Sequence, residues 1–163
     1  MWNTRTMIMN ACMAALYAAL TLGLAPLSYG PIQVRISEFL TLAAFYNPRY
    51  IPGLVIGCFI ANIGSPFGLT DMIIGTLATC IALYAMRYCR TVWQASLMPV
   101  ISNGIIIGLE LAYLGEIPFD SELLLTMLYI GIGELIAVTV IGVGIMKLLM
   151  SNHIVRDYVM DEQ

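Results

Sequence analysis

Charge is what this chain has least of. Only 10% of its 163 residues are Asp, Glu, Lys or Arg, where a soluble domain carries roughly 25%. Hydrophobic residues make up 60% and the mean hydropathy is +0.89, a balance that excludes an ordinary soluble fold. Histidine is equally scarce, with His153 alone in the C-terminal tail. The four cysteines, Cys12, Cys58, Cys80 and Cys89, form no CxxC pair and lie in or beside apolar segments. Their spacing argues against a zinc site, an iron–sulfur cluster or a disulfide framework and leaves them as small packing residues. No metal, no cofactor and no nucleic-acid partner is expected. A nucleotide-binding domain has nowhere to sit, because each helical span consumes about 20 apolar residues. The length accommodates about six spans with short connections, a single transmembrane domain over 1–163.

What is present is a series of apolar runs. The first extends from about Met7 to Leu24 and is read as a retained span, since Ala25-Pro26 is a poor cleavage context for a leader. Within it Ala11, Ala15 and Ala19 recur every fourth residue beside Ala14 and Ala18, a flat face of the small-xxx-small kind on which another helix can approach closely. Residues 26–34 (PLSYGPIQV) carry two prolines and a glycine and read as a loop. A short second run spans about Arg35 to Tyr46 and ends at Asn47-Pro48-Arg49, and a third spans about Tyr50 to Ile63. At 1.5 Å per residue these two reach only roughly 18–21 Å, yet a re-entrant pair would leave Arg49 deep in the bilayer. Two spans shielded by their neighbours are expected instead. The fourth, which Thr70-Asp71 could cap, reaches Tyr88; the fifth runs from about Ala95 to Leu114; the sixth, long enough to tilt, runs from about Leu123 to Met150. The fold expected is an all-α membrane bundle.

Basic residues set the orientation. With six spans and an inner N-terminus, Arg5, Arg49, Arg87, Arg90, Lys147 and Arg156 fall on the cytoplasmic side and Arg35 alone falls outside. Glu38, Asp71, Glu116, Asp120 and Glu122 fall at outer ends, while Asp157, Asp161 and Glu162 belong to the tail. Both termini are therefore expected in the cytoplasm of a cell whose plasma membrane the chain crosses.

Two carboxylates, Glu110 and Glu134, interrupt apolar spans. A charge at the bilayer centre costs on the order of 2.5–3.5 kcal/mol on insertion scales, so each is a candidate ligand contact, with a structural acid bonded across helices as the alternative. Asn103 precedes Glu110 by two helical turns and shares its face. Asn62 ends the third run and, like Asn103, is either a ligand contact or interhelical glue. Asp71 serves a ligand or opens its helix, and Arg35 and Glu38 serve a ligand or pair with each other at i,i+3. Tyr29, Phe67 and Tyr113 stand near outer ends, as an interfacial belt or as stacking surfaces. The candidate pocket is thus Glu110, Glu134, Asn103, Asn62, Asp71, Glu38, Arg35 and Tyr113, beneath the 26–35 loop. Carboxylates and amides with little positive charge suit a neutral or cationic ligand rich in hydrogen-bond donors. A carboxylate accepts two parallel N–H bonds from the N1–H and 2-amino edge of a guanine-type base. The motifs Gly53-x-x-x-Gly57 and Gly104-x-x-x-Gly108 read as helix-packing devices.

The stretch VRISEFLTLAAFYNPRYIPGLVIGCFIANIGSPFGLTDMIIGTLAT (Val34 to Thr79) resembles the QueT family of queuosine-precursor transporters, substrate-binding S components of energy-coupling factor (ECF) importers. The resemblance extends to the length, the six-span layout and the alanine-rich first helix. It implies a subunit that binds a 7-deazaguanine (preQ1, preQ0 or queuine) from outside and docks on a transmembrane coupling protein with two ATPase subunits. It also implies that Ala11, Ala15 and Ala19, or Ala14 and Ala18, form the docking face, and that the 26–34 loop covers the site. Within that reading thiamine is the rival ligand. A self-sufficient transporter using Glu110 or Glu134 as a proton relay is the alternative. A membrane-embedded enzyme is not expected, since no nucleophile–base pair, metal cluster or phosphate loop is present.

Overall fold

The computed structural model describes residues 3–29 and 33–160. Residues 30–32 of the predicted covering loop, and Asp161 and Glu162 of the acidic tail, lie outside the described residues.

Helix α1 (Thr4–Gly23) opens on Asn3, whose side chain accepts from the Thr6 amide at 2.7 Å and satisfies one of the donors a helix start leaves free. It lies along the short helix α3 (Ile51–Ala61). Gly53 and Gly57 make this approach possible: a methyl group at Gly57 would stand 2.9 Å from the Ala14 Cα, and one at Gly53 would strike the Asn10 backbone. Lipid offers no hydrophobic drive for helices to associate, so close backbone packing and buried hydrogen bonds take its place. Asn10 supplies such bonds, accepting from the Gly53 amide at 2.7 Å and donating to the Arg49 carbonyl at 3.0 Å. The start of α3, which has Pro52 in its first turn, is thereby capped from α1.

Between them in sequence, α2 (Ile36–Tyr46) winds as a 3-10 helix over Ile36–Leu42 and as an α-helix only over Ala43–Tyr46. It stops at Asn47, which the following proline forces into the extended region (φ −146°, ψ 105°). This short element sits at the centre of the molecule and touches α1, α3 and the three helices that follow. Helix α4 (Leu69–Met86) starts after Gly68, whose φ of +60° only glycine adopts readily. No side chain caps it, and Asp71 turns inward instead. Helix α5 (Val92–Tyr113) is capped by Thr91 and packs on α4 and on α6 (Ser121–Ser151). Gly104 and Gly108 let the Met127 turn of α6 approach. Helix α6 is interrupted by a π-helical stretch, Leu135–Gly142, which begins beside Glu134 and packs against α2. A short helix, α7 (His153–Met160), folds back so that the Val159 carbonyl accepts from Asn47 at 2.9 Å.

Among the described residues the structure is all-helical. Four helices, α1, α4, α5 and α6, are long and apolar enough to cross a membrane. The two predicted short runs appear as α2 and α3, too short for the roughly 30 Å of a hydrocarbon core by themselves; α2 is surrounded by the other helices, whereas α3 packs on α1 and α4 and leaves Ile56, Phe59 and Ile60 exposed. One end of the bundle gathers the N-terminal half-turns of α1, the Asn47–Arg49 turn and α7, joined by the bonds just described. The larger hydrophobic core is built on Tyr17, Leu42, Leu54, Leu83, Met86, Val138 and Val143.

Candidate functional site

Against that core, with Tyr17 at the border, lies a cluster that an apolar chain would not bury without reason. The buried charged residues are Arg35, Glu38, Asp71, Glu110 and Glu134, all below one-tenth exposed, and Asn62 and Asn103 are buried with them. Seven of the eight side chains expected to form a pocket are thus inside the bundle. Tyr113 is not: it is 80% exposed on the last turn of α5. Being one residue off the 103–107–110 face, it points to the surroundings, and its assignment to the pocket is corrected.

Arg35, at the entry to α2, is the hub. It does not pair with Glu38; its guanidinium instead reaches Asp71 of α4, Nη2 to Oδ2 at 3.5 Å. The Tyr29 ring lies 5.7 Å from its Cζ, within cation–π range. Burial raises the Tyr29 phenol above its ordinary range, so it stays protonated and donates to the Ala61 carbonyl at the end of α3. Asn62 extends from the same end, and its Nδ2 donates to the Asp71 carbonyl at 3.0 Å. Gly75 leaves space here: a methyl group would stand 2.7 Å from the Asp71 Oδ1 and 2.9 Å from the Asn62 Nδ2.

Glu38, one 3-10 turn further along α2, is fixed through one oxygen only. The Tyr17 phenol and the Thr79 hydroxyl (3.3 Å) both donate to Oε1, and the Cys58 thiol lies 3.4 Å from the same hydroxyl. Behind it, Thr21 and Ser37 share a hydrogen bond at 2.6 Å. Glu134 is held likewise, its Oε1 accepting from Asn103 Nδ2 at 2.8 Å. The Glu38 and Glu134 sides of the cluster are joined where Ser102 of α5 donates to the Ala78 carbonyl of α4 at 2.7 Å.

The decisive feature is what these groups leave over. Glu38 Oε2, Glu134 Oε2, both oxygens of Glu110, and Asn62 and Asn103 Oδ1 are buried acceptors without a partner, and Arg35 Nε is a buried donor without one. Each such atom costs about 1–3 kcal/mol, more when charged. Native interiors hold few of them, so their number within this set of buried residues makes it the candidate site for a polar molecule. The site demands hydrogen-bond donors and offers few.

Sequence reasoning passed over Tyr17, Thr79 and Cys58, which orient Glu38 from α1, α4 and α3. Isolated Tyr, Thr and Cys in apolar runs carry no periodic signal, and only the assembled bundle brings them together. The alanines of α1 divide in two. Ala14 and Ala18 are each 7% exposed and face α3, so they are excluded from an outward docking face, whereas Ala11, Ala15 and Ala19 are exposed.

A sequence model of the family described as QueT transporter matches residues 7–151. The queuosine precursor transporter QueT of Lactococcus lactis subsp. cremoris (strain MG1363) is 46% identical over 83 residues, which cover 50% of this chain and 48% of that protein. The aligned part thus spans about half the length of that relative. No solved structure matches the chain.

Proposed function

The chain belongs to the QueT transporter family, and on that premise we propose that it is the substrate-binding subunit of an energy-coupling factor importer for a queuosine precursor. A transporter of small molecules in the bacterial plasma membrane is the common ground of the family and of its four membrane-long apolar helices. The ligand assignment rests on the buried acceptors without partners. A 7-deazaguanine offers N1–H, a 2-amino group and a pyrrole N–H as donors, and its carbonyl oxygen is an acceptor for Arg35 Nε. Glu110, with both oxygens unoccupied, suits the two parallel N–H bonds of the amidine edge.

In this reading six helices cross the bilayer, with α2 sheltered among the rest, α3 against α1 and α4, and both termini in the cytoplasm. The gathering of Arg49, the start of α1 and α7 at one end, with Lys147 4.7 Å from the ring centroid of Trp93, supports that orientation. Ligand enters from the opposite side, past Tyr29 and Arg35. The loaded subunit docks on a transmembrane coupling protein through Ala11, Ala15 and Ala19, and hydrolysis of ATP by two partner ATPases reorients it. A proton-coupled transporter acting alone would use the same carboxylates. Uptake into proteoliposomes driven by a pH gradient, without partner subunits, distinguishes it.

Equilibrium binding to the purified chain tests the ligand. The expected outcome is tight binding of preQ1, preQ0 or queuine, with guanine weaker and thiamine absent. Glu110→Gln is expected to weaken binding roughly 10- to 100-fold, the equivalent of about 1.5–3 kcal/mol for a charge-assisted hydrogen bond. Thiamine binding in place of the deazaguanines would overturn the assignment.

A further inference from the structure

The buried site is unbalanced. Four carboxylates, Glu38, Asp71, Glu110 and Glu134, share one guanidinium, that of Arg35, and Arg35 is committed to Asp71. Glu38 and Glu134 approach from different elements, because α2 packs against the π-helical stretch that begins beside Glu134. The residues that hold them are joined through their neighbours, Ser102 beside Asn103 donating to the Ala78 carbonyl beside Thr79 at 2.7 Å. Each has Oε1 engaged by the protein, Glu38 by Tyr17 and Thr79 and Glu134 by Asn103. Each has a buried Oε2 without a partner, and the Asn103 Oδ1 beside them is a third unpartnered acceptor. Ionising two buried carboxylates is costly unless a positive group joins them.

We infer that Glu38 and Glu134 form a subsite for a positively charged organic group on the ligand, separate from Glu110, which reads the flat donor edge of the ring. Resting on the function proposed above, this makes the preferred substrate a deazaguanine carrying a protonated amine. An ammonium has three donors, and the side chains of this pair and its Asn103 partner carry three unpartnered acceptors: Glu38 Oε2, Glu134 Oε2 and Asn103 Oδ1. A bare metal ion fits the donor set less well, since among the described residues no three His, Cys, Asp or Glu side chains converge on one point. A neutral substituent in the same place would leave both carboxylates unpaired. Arg35 cannot swing over to compensate without releasing Asp71. The α6 register matters too: a π-helical turn is rare and recurs at functional sites, and here it adjoins the carboxylate of the pair.

The test compares 7-aminomethyl-7-deazaguanine with its 7-cyano counterpart, by calorimetry on the purified full chain. The amine is expected to bind tighter by roughly tenfold or more, the worth of one charge-assisted bond. Glu134→Gln and Glu38→Gln should erase most of that preference, whereas Glu110→Gln should weaken both ligands alike and keep the ratio. The wild-type ratio needs no variant and so does not depend on any variant folding. Equal affinity for the two ligands overturns the cation subsite and leaves the proposed function standing. Binding of neither overturns that function and the subsite with it. A preference that survives both Glu38→Gln and Glu134→Gln moves the cation elsewhere and overturns this pair.

Discussion

Glycine at position 75 shows how little slack the polar cluster has. Its replacement by alanine would set a methyl group 2.7 Å from the Asp71 Oδ1, on a carboxylate whose other oxygen is held by Arg35, and 2.9 Å from the Asn62 Nδ2, which is held by a backbone carbonyl. Alanine gains about 1 kcal/mol over glycine as a helix former, and crowding a buried site costs about 1–3 kcal/mol. The two nearly offset in stability, but the displacement falls wholly on Asp71 and Asn62. Gly75→Ala is therefore expected to leave the melting temperature within a few degrees while weakening deazaguanine binding severalfold. Thermal unfolding and calorimetry on the same sample check both halves; a large fall in melting temperature with affinity intact would contradict it. That Glu110 and Glu134 are buried was legible in the sequence, because they interrupt apolar runs; that Glu38 and Asp71 are equally buried was not, because both fall at the ends of runs. Which oxygen stays unpartnered was not, because that depends on Tyr17, Thr79 and Asn103 arriving from three other helices.

Helix α1 carries two alanine rows with opposite duties. Ala14 faces Gly57 of α3 across a contact with no room for a methyl group, while Ala15, its neighbour, is exposed. Ala14→Leu is expected to destabilise the bundle by about 1–3 kcal/mol, the ordinary cost of overpacking a tight contact, and to lower the melting temperature. Ala15→Leu should leave melting and ligand binding unchanged and stop ATP-driven uptake when the coupling subunits are present. Proteoliposome uptake beside a binding assay separates the two; normal uptake by Ala15→Leu would remove this face as a docking surface. The small-residue spacing announced a packing face, and it could not announce two, because helical repetition every three or four residues generates adjacent rows from the same alanines. Much of the architecture was readable at this scale, since apolar run lengths predicted all four long helices within a few residues of their ends. The 3-10 winding of Ile36–Leu42 and the π stretch Leu135–Gly142 were not readable. Both depart from α-helical spacing because of what surrounds them rather than because of any local residue signal.

For the whole molecule, the proposed orientation has a direct readout. Thr91→Cys, in the turn between α4 and α5, and Glu116→Cys, between α5 and α6, place thiols at opposite ends, both on exposed residues. In a chain cleared of its four native cysteines, an impermeant maleimide added to intact cells should label position 116 and spare 91 until the membrane is opened. The reverse pattern would invert the protein. The partnerships of α2 bear also on how the chain is born. Arg35 emerges from the ribosome 36 residues before Asp71, its ion-pair partner, and Glu38 emerges 41 residues before Thr79. Until α4 arrives, the central helix would present an unpaired cation to lipid. Helices α1 to α3 are thus expected to wait beside the insertion machinery and enter the bilayer with α4 as one unit. A nascent chain arrested short of Asp71 should still crosslink to the translocon, and one arrested beyond Met86 should have left it.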